Sequence, residues 1–185
     1  EAKGLGHAVY TAKPVVGDQP FAVLLGDEIM IPTQTDNTTA QLNKKFQNTG
    51  CSTVAVMEVP ESDVHKYGIV AVENQDTDNM KVTNVIEKPS KEEAPSRFAL
   101  PGRYVFNASL FGYLENQAPG KNGEIQLTDA MTAEAQGQGL YASRFVAQRY
   151  DAGDKLGYLQ ANIELGLKHP QVGDSLKSYL QNLKL

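Results

Sequence analysis

The sequence predicts an α/β fold in which helices cover a sheet, because helical spacing alternates with apolar runs along the first third of its 185 residues. Residues 21–25 and 51–58 are apolar runs typical of strands buried on both faces, as in a parallel sheet. Residues 6–16 and 38–48 carry apolar side chains at helical spacing. The order helix, strand, helix, strand indicates a layered α/β fold.

The residues that flank these first elements predict their boundaries. Pro14 is expected to end or kink the first helix, since proline interrupts the helical hydrogen-bond ladder. An Asp-Gln-Pro segment at 18–20 precedes the first strand. Thr38 or Thr39 lies near the start of the second helix, and Gly50 closes it.

The middle of the chain is predicted to be rich in strands. Residues 67–72 and 81–87 are expected to form a hairpin-type pair around the polar loop 73–79. Further predicted elements are a strand over 98–106 interrupted near Pro101 and Gly102, helices over 109–116 and 124–136, and a last strand over 140–147.

The C-terminal residues predict two helices. From Lys155 onward, a helical stripe ends near His169 and Pro170; its apolar members are Leu156, Leu159, Ile163 and Leu167. A last amphipathic helix passes through Tyr179, Leu180 and Leu183, which either form a subunit interface or cap the domain. We expect residues 1–185 to be a single domain, with 155–185 as a C-terminal helical segment.

Composition excludes several functional classes. The formal net charge of −5 and the lack of a long basic run argue against nucleic-acid binding. No stretch approaches the roughly 20 apolar residues that span a bilayer. The single Cys51 lies in an apolar run and is expected to be buried and inert, which favours a cytoplasmic protein. The absence of an initiator Met indicates a processed chain or a fragment.

Two aspartates at strand ends are candidate metal ligands. Asp27 follows an apolar strand and a glycine, and ligands collect at the carboxyl ends of strands in open α/β sheets. Asp151 is also predicted at a strand end, so the pair is expected to converge on a Mg²⁺ site, which needs one or two carboxylates plus phosphate oxygens. The alternative is turn and capping chemistry, which is the better interpretation for Asp154.

The sequence Glu87-Lys88-Pro89 places opposite charges at the end of a predicted strand. Neighbouring side chains on a strand point to opposite faces, but Pro89 is expected to break the strand. Both side chains then reach one pocket, where Glu87 accepts from sugar hydroxyls and Lys88 holds a phosphate. The alternative is a solvent-exposed pair.

Glycines offer close approach to a ligand, although each is also compatible with ordinary turn chemistry. They are Gly68, Gly102 and Gly123. The three histidines are too far apart, and lack a companion cysteine, to indicate a zinc site. Walker A, dinucleotide-binding and nucleophile-elbow motifs are absent from the sequence.

Seven motifs in order carry a family resemblance. They are Gly-Leu-Gly-His-Ala-Val at 4–9, Leu-Leu-Gly-Asp at 24–27, Lys-Tyr-Gly-Ile-Val at 66–70, Glu-Lys-Pro at 87–89, Gly-Arg-Tyr at 102–104, Gly-Glu-Ile-Gln-Leu-Thr-Asp-Ala at 123–130 and Arg-Tyr-Asp-Ala-Gly-Asp-Lys-Leu-Gly-Tyr at 149–158. Over residues 3–168 the chain resembles the bacterial UTP–glucose-1-phosphate uridylyltransferases, also called UDP-glucose pyrophosphorylases.

The resemblance implies a fold, a reaction and site residues. The fold is a nucleotidyltransferase-type three-layer α/β/α sandwich around a mixed, mainly parallel sheet. Glucose 1-phosphate attacks the α-phosphorus of UTP with Mg²⁺ as cofactor, giving UDP-glucose and pyrophosphate. By resemblance, Asp27 and Asp151 hold the metal, Asp27 and Lys88 are catalytic, and Glu124 and Asp129 organise structure. The implied substrate-binding residues are Gly4, Gly6 and His7 near uracil, Gly68, Glu87 and Gly102 around glucose, and Lys88 at the phosphate.

One departure from the family pattern is large. Family members begin with a strand and a loop of the form Gly-x-Gly-Thr-Arg, followed by a Pro-Lys pair, and no such segment occurs here. The chain is therefore expected to be the C-terminal portion of an enzyme and to be inactive alone. Family habit also favours a homo-oligomer.

Three other interpretations remain open. One is a related nucleotidyltransferase that uses dTTP or CTP, because base choice depends partly on the N-terminal loop that does not occur here. A non-catalytic paralogue would bind a sugar nucleotide or regulate an active partner, although Asp27, Glu87, Lys88 and Asp151 are all present. A structural α/β domain with fortuitous motifs is the third.

Overall fold

The computed structural model describes residues 3–77, 80–120 and 123–184, which form a mixed sheet with helices on both faces. The strands are β1 (Phe21–Leu24), β2 (Glu28–Pro32), β3 (Ser52–Glu58), β4 (Gly68–Glu73), β5 (Met80–Glu87), β6 (Phe98–Ala99), β7 (Arg103–Phe106), β8 (Leu140–Arg144) and β9 (Ala147–Asp151). The α-helices are α1 (Leu5–Tyr10), α2 (Lys13–Val16), α3 (Thr38–Thr49), α4 (Leu110–Glu115), α5 (Leu127–Gly137), α6 (Lys155–Lys168) and α7 (Gly173–Gln181). A 3₁₀ turn covers Glu61–Lys66.

The main sheet is mixed, as predicted, but the prediction that it is mainly parallel is wrong. In the described residues its seven strands follow the order β1-β7-β3-β6-β4-β5-β8, and β8 also pairs with β3. The β3–β8 pair is parallel, and the other pairs are antiparallel. An apolar run indicates that a strand is buried on both faces, but it does not indicate the direction of the neighbouring strands. The first five residues of β3 are buried, yet its neighbours β6 and β7 are antiparallel to it.

Strand β1 differs from its prediction as a strand buried on both faces. In the described residues it pairs only with β7, at the edge of the sheet. Phe21 and Val23 pack against the core, whereas Ala22 and Leu24 are exposed. Its apolar run therefore covers one buried face and one open face.

Alternation along β3 divides the core into two layers, which confirms the three-layer architecture. Val54 and Val56 point toward α1, α4 and α5 in the largest apolar cluster. Ala55 points to the opposite face, where it packs with Leu42 of α3. This period-2 alternation is what places helices on both sides of one sheet.

Local signals explain several helix and strand boundaries. Gly50 has φ 68 and ends α3, as predicted, whereas Asn37 takes the N-cap position. Pro14 does not end α1 but lies in the first turn of α2. A proline is tolerated there because the first N–H groups of a helix have no intrahelical acceptor. Helix α5 begins at Leu127, later than predicted.

Other predictions on the middle segment are confirmed. Strands β4 and β5 form the predicted antiparallel pair; residues 78 and 79 of the predicted loop lie outside the described part. Gly102 separates β6 from β7 with φ 86, at the predicted interruption. Cys51 is half-buried and not fully buried as expected, because it lies before β3 begins.

A separate ribbon of β2 and β9 precedes the C-terminal helices. Strand β2 was not predicted. The last predicted strand corresponds to β8, and β9 lies almost entirely beyond its predicted end. Helix α6 packs on β9 and α7, and its small residues Gly157 and Ala161 are buried. Its predicted apolar stripe, by contrast, is exposed; Leu156 is 63% and Leu159 57% accessible. No described helix combines the length and apolar character needed to span a bilayer.

Candidate functional site

A cleft of about 360 Å³ opens between the ribbon, the edge of β4 and β5, and the start of α5. Among its described lining residues are five carboxylates and two lysines: Asp27, Glu28, Glu87, Glu124, Asp151, Lys66 and Lys88. A phosphorylated ligand in such a cleft requires cations to offset this excess of negative charge. The cleft brings together the predicted residues of both strand ends.

Backbone contacts hold the turn that carries Asp27. The Arg103 guanidinium donates to the carbonyl oxygens of Leu25 and Glu28, at 3.0 and 2.5 Å, on either side of the aspartate. Ala152 N–H donates to the Asp27 carbonyl oxygen at 2.7 Å, which joins this turn to the end of β9. The Asp27 side chain is exposed toward the cleft. Burial lowers the pKa of Arg103, although nearby Glu28 opposes the effect.

Asp151 lies opposite this turn, as the strand-end prediction requires. Its Oδ1 accepts from the N–H groups of Gly153 and Asp154, at 3.0 and 3.2 Å. A Cβ built on Gly153 would lie 3.2 Å from Asp151 Oδ1 and 3.2 Å from Asp27 Oδ2, so glycine leaves open a position that both carboxylates face. Two carboxylates that face one position fit a Mg²⁺ ion completed by phosphate oxygens. The described residues contain no cluster of three or more metal-ligating side chains.

The end of β5 turns both charges of the Glu-Lys-Pro motif into the cleft. Lys88 has φ 45, in the left-handed region that non-glycine residues rarely adopt. Its N–H donates to the Tyr67 carbonyl oxygen at 3.0 Å, which fixes this conformation. Glu87 and Lys88 both line the cleft, as expected from a broken strand. Such strained residues cluster at functional sites.

Two predicted glycines allow close packing at the cleft. A Cβ on Gly68 would lie 3.0 Å from Thr128 Cγ2 and 3.3 Å from Glu87 Oε2. A Cβ on Gly102 would lie 2.7 Å from the Leu25 side chain, which lines the cleft. Gly102 therefore shapes the site through Leu25, and its contact with sugar stays a prediction.

The three residues predicted near uracil lie beside the cleft. Gly4 and Gly6 pack against the segment before α5, and Gly6 N–H donates to the Ile125 carbonyl oxygen at 2.9 Å. His7 is half-buried on α1. The lining residue from this segment is Leu5. Uracil binding by Gly4, Gly6 and His7 stays a prediction.

Of the two acidic residues in the Gly-Glu-Ile-Gln-Leu-Thr-Asp-Ala motif, only Glu124 is among the described residues that line the cleft. Glu124 lines the cleft and its Oε2 accepts from Gln126 Nε2 at 3.0 Å, whereas Asp129 lies outside the lining. Burial raises the pKa of Asp129. Thr128 is buried in the cleft wall, and its enclosed hydroxyl has no hydrogen-bond partner among the described residues.

Two residues absent from the predicted site form an ion pair beneath the cleft. Arg149 donates through Nε and Nη2 to the Glu28 carboxylate at 2.6 and 2.5 Å. Burial raises the pKa of Glu28, and Arg149 opposes that rise. Burial disfavours the charge on Arg149, but the hydrogen bonds and charge of Glu28 raise its pKa overall. The Arg-Tyr-Asp motif was a signal for Arg149; nothing local identified Glu28.

The start of α6 completes the site from behind. Asp154 Oδ2 accepts from Gly157 N–H at 2.9 Å, which confirms the predicted N-cap. Gly157 is buried against the Asp151 carbonyl group, and a side chain at this position would clash with that group. The motif glycine therefore allows the helix to lie directly on the residue that faces the cleft.

A family model described as nucleotidyl transferase matches residues 1–166. The UTP–glucose-1-phosphate uridylyltransferase of Staphylococcus epidermidis is 43% identical over 186 aligned positions, which cover 100% of this chain and 64% of the relative. The enzyme of the same name from Streptococcus pneumoniae serotype 4 is 45% identical over 184 positions, covering 98% and 62%.

Solved structures are similar in backbone as well. A UDP-glucose pyrophosphorylase complexed with UDP-glucose matches with a TM-score of 0.87 and 37% identity, over 91% of this chain and 64% of that chain. A UTP-bound UGPase from Acinetobacter baumannii matches with a TM-score of 0.87 and 36% identity, over 100% and 64%. The chain thus spans slightly less than two thirds of the length of these relatives.

Proposed function

The chain belongs to the nucleotidyl transferase family, and we propose that its protein transfers a uridylyl group from UTP to glucose 1-phosphate. A phosphate oxygen of the sugar attacks the α-phosphorus of UTP, and pyrophosphate leaves. The observation that carries the proposal is the convergence of Asp27, Asp151, Glu87 and Lys88 on one cleft. The names of the relatives and the nucleotides of the similar structures support the choice of uridine and glucose.

We infer that Asp27 and Asp151 hold a Mg²⁺ ion together with phosphate oxygens. The position that both carboxylates face beside Gly153 supports this assignment. The bound ion would neutralise phosphate charge during transfer. Arg103 and the Ala152 N–H fix the Asp27 turn, so that this carboxylate is oriented before ligand arrives.

The opposite wall of the cleft is assigned to the sugar phosphate. Glu87 accepts hydrogen bonds from glucose hydroxyls, and Lys88 holds the phosphate as a point charge. Gly68 and Gly102 line the sugar pocket, while Gly4, Gly6 and His7 border the uracil. In-line transfer needs this positioning more than covalent help from the protein.

The proposal extends to the domain organisation, oligomeric state and location of the protein. Residues 1–185 act as one domain with 155–185 as its C-terminal helical segment. Homo-oligomerisation through α6 is supported by the exposed Leu156, Leu159 and Ile163 on its outer face. A single half-buried cysteine supports a cytoplasmic location.

The test is formation of UDP-glucose and pyrophosphate from UTP and glucose 1-phosphate by the full-length protein. Asp27→Asn and Lys88→Met are each expected to lower kcat/KM by about 100-fold or more, since each removes charge complementary to the transition state. Lys91→Met removes an exposed lysine, paired with Glu61 at 3.1 Å, and should leave turnover unchanged.

The outcomes separate the candidates. Preference for dTTP or CTP would identify a related transferase. Binding of UDP-glucose without turnover would identify a non-catalytic paralogue. The 185-residue chain alone is predicted to be inactive, and its robust turnover would contradict that prediction.

A further inference from the structure

Three charged residues meet on one face of the β2–β9 ribbon. Glu28 and Asp151 are directly opposite in the antiparallel register, and Arg149 lies two positions before Asp151 on the same strand. Like charges directly opposite on a sheet destabilise it, unless a cation lies between them. Arg149 contacts both carboxylates and supplies that cation.

The contacts of Arg149 are unequal. It makes the two short hydrogen bonds with Glu28 at 2.6 and 2.5 Å, but a single long one, 3.3 Å, with Asp151 Oδ2. Its Nη1 donates to the Tyr67 hydroxyl at 3.3 Å, and the guanidinium stacks 5.4 Å from the Tyr67 ring centroid. A bidentate carboxylate pair is the stronger arrangement, so Glu28 is the principal partner.

The pairing of Arg149 with Glu28 matters because both side chains are largely buried. The side chains of Arg149 and Glu28 are 18% and 8% exposed, whereas that of Asp151 is 32% exposed and faces the cleft. Arginine stays charged, so without Glu28 its guanidinium would need another carboxylate. Asp151 is already in contact, and a bidentate pair with Arg149 would occupy the oxygens that a cation needs.

We propose that Glu28 is a positioning residue that engages Arg149 and thereby leaves Asp151 available to a divalent cation. The inference rests on the metal role in the proposed function. In this proposal the cation site consists of Asp27 and Asp151. Glu28 does not touch the cation; by pairing with Arg149, it keeps the negative charge of Asp151 available to the cation. Arg149 keeps the two opposed carboxylates together and holds Tyr67 at the cleft wall.

The test measures affinity for Mn²⁺ alone, by electron paramagnetic resonance, in the full-length protein and its variants. Glu28→Gln should weaken Mn²⁺ binding by about 10- to 100-fold, the range typical of lost partners behind metal ligands. In E28Q/R149M the competing guanidinium is gone as well, so binding should return to within about threefold of wild type. Glu58→Gln breaks the exposed Arg97–Glu58 pair and should not change Mn²⁺ affinity.

The outcomes decide the inference separately from the proposed function. Wild-type affinity in E28Q would overturn the role of Glu28. A double variant as weak as E28Q would mean that the pair only shapes the ribbon, which also overturns it. If E28Q does not fold, the double variant decides alone, because a loss of about tenfold or more would be the structural result. Absence of UDP-glucose formation by wild type would refute the proposed function, whatever the Mn²⁺ results. Turnover without Mn²⁺ binding would overturn the inference together with the metal role on which it rests, but not uridylyl transfer itself.

Discussion

A carboxyl group buried in the core predicts a specific dependence of stability on pH. Glu134 of α5 is fully buried, and its Oε1 accepts from the hydroxyls of Ser52 at 2.7 Å and Ser109 at 3.1 Å. Its Oε2 has no partner within the described residues. Burial raises its pKa from 4.5 to about 7, although both serine hydrogen bonds oppose the rise.

The sign and size of the effect follow from this shift. A carboxyl whose folded-state pKa is raised stabilises the fold fully below its unfolded pKa, and the contribution is lost as pH rises through the folded value. The rise from 4.5 to about 7 corresponds to about 3 kcal/mol. Wild type should therefore lose about 2–3 kcal/mol of this contribution between about pH 5 and about pH 8.

Glu134→Gln removes the titration while it keeps the shape of the side chain. Urea unfolding of both proteins at the two pH values gives the free energy of unfolding, and other titrating groups cancel in the difference. The variant should gain about 2–3 kcal/mol relative to wild type at the higher pH. Glu92→Gln, at an exposed carboxyl, is the matched control. A difference between wild type and E134Q that stays constant with pH would refute the reasoning.

Three glycine-to-alanine substitutions distinguish glycines that neighbouring atoms require from a glycine that no neighbouring atom requires. Gly102→Ala should lower the free energy of unfolding by about 1–3 kcal/mol, because φ 86 is strained for alanine and its Cβ would lie 2.7 Å from Leu25; urea unfolding measures it. Gly157→Ala should lower UDP-glucose formation by about 100-fold, because its Cβ would displace α6 from Asp151; unchanged kinetics would contradict this contact. Gly112→Ala has no atom within 4 Å of the added Cβ and lies in α4, so it should stabilise the protein by about 0.5–1 kcal/mol, visible as a higher Tm.

Elements with a complete local pattern were predictable from sequence. Helix α3 combines apolar spacing with a glycine that ends it, and β3 is a continuous apolar run. Strand direction was not predictable, because it depends on which distant strands pair, and β3 pairs with strands of both directions. The exposed face of α6 shows a similar limit, since periodicity identifies a stripe but not what covers it.

Some residues of the site were likewise predictable from sequence and others were not. Asp27 and Asp151 were predicted to converge because strand ends meet at one side of a sheet, and both line the cleft. The Arg149–Glu28 pair joins residues separated by 121 positions, and glutamate next to a turn aspartate carries no local signal. Burial against a distant cation is a tertiary property that only the folded chain reveals.

The two walls of the cleft belong to different sheets, and this has a mechanical consequence. Asp27 and Asp151 lie at one end of the β2–β9 ribbon, whereas Glu87 and Lys88 end a strand of the seven-stranded sheet. Within the described residues, no strand pairing joins the two sheets. The ribbon is joined to the main sheet instead through two arginines: Arg103 of β7 donates to the Glu28 carbonyl oxygen, and Arg149 of β9 donates to the Tyr67 hydroxyl. The width of the cleft between the two aspartates and the Glu87–Lys88 wall therefore depends on side-chain contacts and not on a strand ladder.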